Sequence, residues 1–520
     1  MNAMPHPLAA GIVFAYLAIA LLLGALAGRK GSGGTDDFVA GERAFGPLVM
    51  YFVIGATIFS AYALLGTPQR VVAKGSDAFY VLAYGAVGLV PIFFFGARVR
   101  RIGAREGFVT QAELLAARFE SPTISVAMGV ATVVAFVPYL VIQLKGAGVV
   151  MAAVTGWPAQ WGAGLVYVVV LAYVLAGGVR GVGWTNVLQG IVMLIAVWVI
   201  GLWLPTKLYG SVAGMFDRVV AEHPEYLTLP GPGEQTPATR YSSEILVSIL
   251  GFSMWPHMFM KCFTARSARL VQLSVVFYPT FLFFLLPLLF LGYVAVLAGG
   301  PADDSVLMWL VGLVEGEPIY PWMFAFLAFA VLAASMSTGD ALLHAGGSIA
   351  IRDVLLPLET RPLGRALIRG ARAIKLLPKP ALPNQSLRSD DAGQTRAMKL
   401  VVVLLAVISW WMLAEAGRLS IVDLLLLAYA VPVQFLPLVL FGLYWRRANG
   451  VGASAGLLAG LATVLGLFAL QKLAPELAAA INPLELEIGV LGLVVNTLTM
   501  VIFSLAGPRP RADLLARFEL

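Results

Sequence analysis

Apolar runs of about 20 residues, the length a helix needs to cross bilayer hydrocarbon, recur along the whole chain between short polar or glycine-rich stretches. Thirteen are legible, near residues 8–28, 46–72, 78–97, 123–150, 157–178, 184–205, 243–263, 270–297, 320–350, 399–416, 421–444, 452–470 and 487–506. They predict an all-α polytopic membrane protein with about 13 transmembrane helices, because helices satisfy their own backbone polar groups inside lipid. Two runs are interrupted. The second contains Gly55-Ala56-Thr57-Ile58-Phe59-Ser60 and then Gly66-Thr67-Pro68-Gln69, and the seventh contains Gly251-Phe252-Ser253-Met254-Trp255-Pro256-His257. Glycine and proline free backbone carbonyls, which are tolerated at membrane depth only where they line a cavity or are buried in protein. Each interrupted run opens a group of five, so runs two to six and seven to eleven occupy corresponding places in two halves, as an inverted-repeat transporter requires. Ordinary helix kinks account equally well for the same residues taken singly.

Composition agrees with the pattern: 60% of residues are hydrophobic and 12% charged, far from the balance of a soluble domain. A single cysteine, Cys262, excludes an internal disulfide, and no Cys/His cluster suggests zinc or an iron-sulfur centre. The net charge of +7 does not point to nucleic acid, because the basic residues gather between apolar runs. One side collects Arg29 and Lys30, then Arg98, Arg100, Arg101 and Arg105, then Lys261, Arg266 and Arg269, and later Arg446 and Arg447. The same side holds the ten Lys/Arg between Arg352 and Lys399. The opposite side carries Asp303, Asp304, Glu315 and Glu317 in one loop, and a mixed loop from Lys207 to Tyr241. An excess of Lys/Arg marks cytoplasmic loops, so the expected protein lies in the plasma (inner) membrane with its amino terminus outside and its carboxyl terminus in the cytoplasm. The first run lacks a basic amino-terminal flank and reads as a span rather than a signal peptide. Residues 352–398 read as a basic cytoplasmic loop with prolines at 362, 378, 380 and 383 and at most one short helix, able to meet anionic lipid headgroups or simply to be solvated.

The ninth run holds the densest polar cluster, Ala333-Ala334-Ser335-Met336-Ser337-Thr338-Gly339-Asp340. Hydroxyls and a carboxylate deep in a spanning helix mark a working site more often than a structural one. Membrane hydroxyls also bond back to their own helix, and that reading stays open from the residues alone.

Several segments together resemble the sodium:solute symporters. They are Asp37-Phe38-Val39-Ala40-Gly41-Glu42-Arg43, then Gly177-Gly178-Val179-Arg180 followed by Trp184-Thr185-Asn186-Val187-Leu188-Gln189, then Ser335 to Asp340, and finally Tyr429 to Gln434 with Pro437 and Gly442-Leu443-Tyr444-Trp445-Arg446-Arg447-Ala448. The resemblance runs from about Phe38 to Ala453 and implies a LeuT-like five-plus-five inverted repeat in one membrane domain. Residues 8–28 are then an extra first span, 46–205 and 243–444 the two repeats, and 452–506 two further spans. It also implies a sodium ion held by the Ala56 and Phe59 carbonyls of the broken second run and by Ala334, Ser337 and Thr338 of the ninth. A small hard cation stripped of water needs several oxygen ligands, which unwound carbonyls and one helix face can supply.

Asn186 departs from the family pattern, in which many members carry an acidic residue at this point that in some supports a second sodium. An amide keeps an oxygen but lacks the charge, so one coupled sodium is expected. Asp340 stands as a possible counter-charge or proton carrier. Candidate substrate-lining residues are Thr57, Ser60, Gln69, Tyr80, Gln143, Lys145, Trp255, His257, Tyr429 and Gln434. Lys145, inside Pro138 to Gly146, needs an anionic partner or access to water. A substrate carboxylate would serve, as would a protein carboxylate or the headgroup region. The resulting expectation is a sodium-coupled symporter of a small organic solute, with monocarboxylates preferred. Proton coupling to an amino acid, sugar or vitamin and a sensory role remain as alternatives; only Gly507 to Leu520 follows the last run, which leaves no room for a signalling domain. An enzyme is disfavoured because no nucleophile stands beside a base. The sequence leaves oligomeric state open.

Overall fold

A computed structural model describes residues 7–29, 31, 34–232, 237–359, 361–373, 387–416 and 428–519. Among them the chain is helical apart from connections and one isolated β-bridge, Phe45 to Ala265. Among the described residues nine helices are long and apolar enough to cross a membrane, or ten if the bent pair Ala238–Phe252 and Pro256–Thr264 counts as one span; Pro47–Ile58 and Pro432–Tyr444 are shorter apolar helices. The expected thirteen is larger than this for identifiable reasons. Ala159–Tyr209 runs for 51 residues, about 76 Å at helical rise, too long for one crossing of a core about 30 Å thick. It covers two expected spans and leaves helical geometry at Gly178, where φ is +52°. A Cβ there would also lie 3.0 Å from the Phe38 carbonyl oxygen, so glycine is required both for the turn and for the close approach. Residues 417–427, where the expected run 421–444 begins, lie outside the described residues, as does Asn384-Gln385-Ser386 in the basic loop. The described parts of the expected loop 352–398 are largely helical: the helix of the ninth run continues to Leu358, Pro362–Ala373 forms a helix of its own, and Asp391 already opens the next one.

Both interrupted runs are broken helices. The first consists of Pro47–Ile58, a break at Phe59 (φ −83°, ψ 81°) and Ser60, a wide turn over Tyr62–Gly66, and Thr67–Lys74. The second stops at Phe252 and restarts at Pro256, bent by 41°, with Trp255 at φ −54°, ψ 120°. Proline at the first position of a helix loses no hydrogen bond and presets the restart. The serine-rich helix Tyr320–Ile349 runs through the middle of the molecule, buried over almost its whole length. It packs on Pro7–Gly28, Pro47–Ile58, Pro122–Thr155, Ala159–Tyr209 and Asp391–Ala416. A helix apolar on all sides is a core helix, so its few polar groups face protein.

Candidate functional site

The break in the first broken helix and the serine-rich helix meet through oxygen atoms. Ser337 Oγ lies 2.9 Å from the Ala56 carbonyl and 3.0 Å from the Ala334 carbonyl, and Thr338 Oγ1 donates to the Thr57 carbonyl at 2.9 Å. One hydroxyl proton cannot satisfy two carbonyls, so Ser337 sits among acceptors rather than simply capping one. Ala56, Thr57, Ser337 and Thr338 are all fully buried. The structure thus brings together Ala56, Ala334, Ser337 and Thr338; Phe59 carries the break, while the second carbonyl touched by the serine-rich helix is that of Thr57. Oxygen donors converging without a carboxylate suit a singly charged hard cation.

Gln143 fixes this break. Its Oε1 accepts from the Ala61 N–H at 3.1 Å, its Nε2 donates to the Tyr139 carbonyl at 3.2 Å, and its own carbonyl accepts from Ser335 Oγ at 2.6 Å. It therefore ties the first broken helix to Pro122–Thr155 and, through Ser335, to the serine-rich helix. Ser60 Oγ accepts from the Tyr62 N–H at 3.2 Å, holding the restart.

Beside the break lies a set of aromatic rings and unpartnered polar atoms. Trp255 packs against Tyr139 at 4.9 Å and Tyr429 at 5.5 Å between ring centroids, and His257 stands 5.6 Å from Phe136 and 5.9 Å from Tyr139. Thr57 Oγ1, Ser253 Oγ, Trp255 Nε1 and His257 Nδ1 are buried with no hydrogen-bond partner among the described residues. Buried polar groups are rarely left so, and a cluster of them calls for a ligand or water.

Four of the sequence candidates are placed elsewhere. Gln434 Nε2 donates to the Gly489 carbonyl at 3.0 Å and its backbone carbonyl accepts from Asn496 at 2.7 Å, so it holds Ile488–Ala506 rather than a solute. Gln69 Nε2 reaches the Ala302 carbonyl at 3.4 Å, and the Tyr80 ring lies under Arg70, 3.9 Å from the guanidinium carbon. Arg70 pairs with Asp77 and, at 3.0 Å, with Glu244, joining the far segments of both broken helices in a buried ionic layer. Lys145 belongs to the same end: its Nζ is 2.5 Å from Asp304 Oδ2, so a protein carboxylate takes the place expected for a substrate carboxylate.

The opposite end is tied differently. The Phe45 N–H donates to the Thr264 carbonyl and the Arg266 N–H to the Phe45 carbonyl, both at 3.1 Å. Arg43 donates to the Phe108 carbonyl at 3.0 Å, Arg180 pairs with Asp37 at 2.6 Å and Glu42 at 2.5 Å, and Arg352 pairs with Glu113 at 2.5 Å.

Three features escaped sequence reasoning. Ser253 and Ser335 were in view within motifs but carried no assigned role. A second polar cluster surrounds Asp340, whose Oδ2 accepts from Tyr173 at 2.7 Å and Thr185 at 3.3 Å while Oδ1 has no partner; the Asn186 and Gln189 amides in the same region are buried and unpartnered. Lys261, counted among the loop cations, is instead buried in the second broken helix. An exposed loop charge and a buried one look alike in a residue count.

Comparison with known proteins places this geometry. The profile of the sodium:solute symporter family matches residues 38–362 and 384–460. The symporter YhjB of Bacillus subtilis is 26% identical over 509 residues, 95% of this chain and 96% of that protein. A monocarboxylic acid transporter of Corynebacterium glutamicum is 24% identical over 482 residues, 88% of this chain and 83% of that one. In three dimensions the chain is similar to a Na+-coupled sialic acid symporter captured substrate-bound and outward-open, with a TM-score of 0.74 at 16% identity, covering 97% of this chain and 99% of that one. At that identity the likeness establishes the fold, a LeuT-like helical bundle.

Proposed function

Because the chain belongs to the sodium:solute symporter family, whose members are membrane transporters and not enzymes, we propose that it takes up a small organic acid, a monocarboxylate by preference, together with one sodium ion. The observation that carries this reading is the contact of Ser337 and Thr338 with the carbonyls of Ala56 and Thr57 at the helix break. Sodium bound there draws on oxygens from two elements that must part when the bundle rocks, so its binding biases the conformational equilibrium as alternating access requires.

Thr57 Oγ1, Ser253 Oγ, Trp255 Nε1 and His257 Nδ1 form the solute side of the site with Tyr139 and Tyr429 around them. Hydroxyl and indole donors suit a carboxylate acceptor, and the aromatic walls suit a short apolar tail. The named activity of the Corynebacterium relative supports the same substrate class. The Arg43 end faces the cytoplasm in this reading, with the amino terminus outside, on the strength of the basic residues gathered there. The Asn186 amide supports a single sodium.

Uptake into proteoliposomes under an imposed sodium gradient tests the proposal, with labelled acetate, pyruvate and propionate as probes. Rates should rise with sodium with a Hill coefficient near one. Ser337→Ala and Thr338→Ala should each raise the apparent sodium constant about tenfold, roughly 1.4 kcal/mol, and lower solute affinity at limiting sodium because coupling is reciprocal. Uptake that follows a proton gradient and ignores sodium would overturn the ion assignment.

A further inference from the structure

Among the described residues three lysine or arginine side chains are deeply buried: Arg70, Arg118 and Lys261. Arg70 is held by Asp77 and Glu244, and Arg118 donates to the Gly442 and Ala448 carbonyls at 2.8 and 3.2 Å. Lys261 differs. It is 6% exposed, and its ammonium makes no ion pair or hydrogen bond among the described residues. It lines a small, mostly apolar cavity with Met50, Ile54, Leu89, Ile92, Met258, Cys262, Val271 and Val275. An ammonium in such surroundings is costly without an anion, and in a membrane protein it marks a site of function.

The titratable groups whose fields reach Lys261 are Asp340, His257 and His344. Asp340 lies beyond ion-pair distance, its Oδ2 taken by Tyr173 and Thr185. His344 Nε2 is engaged with the Phe38 carbonyl at 2.7 Å. His257, with Nδ1 unpartnered, precedes Lys261 by four residues through a stretch whose Met260 N–H still bonds to the Pro256 carbonyl, which sets the two on one helical face. Unpartnered groups therefore follow one another along the second broken helix, from Ser253 and Trp255 at its break through His257 to Lys261, toward the Arg43 end. A cation here repels sodium and attracts what travels with it.

We infer that Lys261 binds the carboxylate of the transported solute, with His257 as its neighbour on the same helix face, and that this pair selects carboxylate-bearing solutes over neutral ones of the same shape. The inference rests on the uptake reading above and goes further: it names the residue that recognises the solute's charge, a role expected from sequence at Lys145, which Asp304 occupies. A carboxylate entering between Lys261 and the donors at the break offers the ammonium the direct ion pair that Asp340, held by Tyr173 and Thr185, does not make. With one sodium and one monoanion, each cycle then moves no net charge.

The test compares binding of propionate and of neutral propionamide to the purified full-length protein in sodium. Sodium binding is followed separately through tryptophan fluorescence. The parent should bind propionate and discriminate against propionamide at least tenfold. Lys261→Met should lose at least tenfold in propionate affinity and most of that discrimination while its sodium response stays within twofold. Lys261→Arg, which keeps the charge but moves the donor, should retain binding with a raised propionate constant. If Lys261 only balances Asp340, the double variant Lys261→Met with Asp340→Asn regains propionate binding, which overturns the inference; a double variant as defective as Lys261→Met supports it. Should Lys261→Met not fold, the Lys261→Arg result decides, and an unchanged propionate constant there counts against the contact. A Lys261→Met protein that binds propionate like the parent removes Lys261 from the site and leaves the uptake reading standing. A parent that binds no carboxylate in sodium but binds neutral solutes removes both.

Discussion

The two ends of the broken-helix pair are closed by opposite means. At the Arg70 end the closure is made of side-chain charges withdrawn from water, with Arg70, Asp77 and Glu244 at 6%, 1% and about 5% exposure. At the Arg43 end it is made of main-chain hydrogen bonds, surrounded by ion pairs in which Glu42 and Asp36 remain 45% and 60% exposed. Glu42 and Asp36 keep contact with water, although Asp37 and Glu113 at the same end are only 9% and 17% exposed, whereas no member of the Arg70 layer keeps such contact. Opening the Arg70 end therefore requires hydration of three charges in concert, whereas the ion pairs of the Arg43 end can be loosened one at a time.

The largest expected effect follows from leaving buried carboxylates without their cation. Arg70→Met should lower stability by about 3–5 kcal/mol, read as a fall in the thermal midpoint of the purified protein, and should abolish coupled uptake. A midpoint within a degree of the parent would show that the layer is already hydrated and that the contrast between the ends is false.

Lys145→Met comes next. Its partner Asp304 is mostly buried, so the orphaned carboxylate should cost roughly 1–3 kcal/mol, and Asp304→Asn should produce a similar loss. Solute affinity should suffer far less than in Lys261→Met. A selective loss of solute binding in Lys145→Met, with stability unchanged, would return Lys145 to the solute site.

Arg180→Gln should be the mildest, about 1 kcal/mol, because Asp37 is as buried as Asp304 but the glutamine amide can still donate it a hydrogen bond. Cys262, the single cysteine of the chain, is buried close to this end and supplies a native reporter. Its labelling by a maleimide should quicken severalfold in Arg180→Gln and remain slow in Arg70→Met. Equal labelling in both would erase the distinction.

The same contrast separates what was legible in the sequence from what was not. Helix breaks announce themselves locally, because glycine, proline and a hydroxyl cluster act within a turn or two, and the motifs around Ala56 and Ser337 lay in plain view. Partners 159 residues apart do not: nothing near Lys145 points to Asp304. The partners of Gln434 are hidden for a related reason. Its spacing in the run suits a cavity, but the helix that covers it, Ile488–Ala506, lies beyond the repeat. Phe59 ends the first helix segment as expected, and nothing in the sequence signals that the Thr57 carbonyl, two residues earlier, also meets the serine-rich helix. Lys261 was counted as a loop charge because a one-dimensional tally assigns position along the chain and not depth.

The paired hydrogen bonds of Phe45 with Thr264 and Arg266 have a mechanical meaning. They yoke the segment entering the first broken helix to the segment leaving the second, so neither arm swings alone without rupturing both bonds at once. In the proposed transport cycle such a yoke would act as a single latch rather than as a pair of independent flaps.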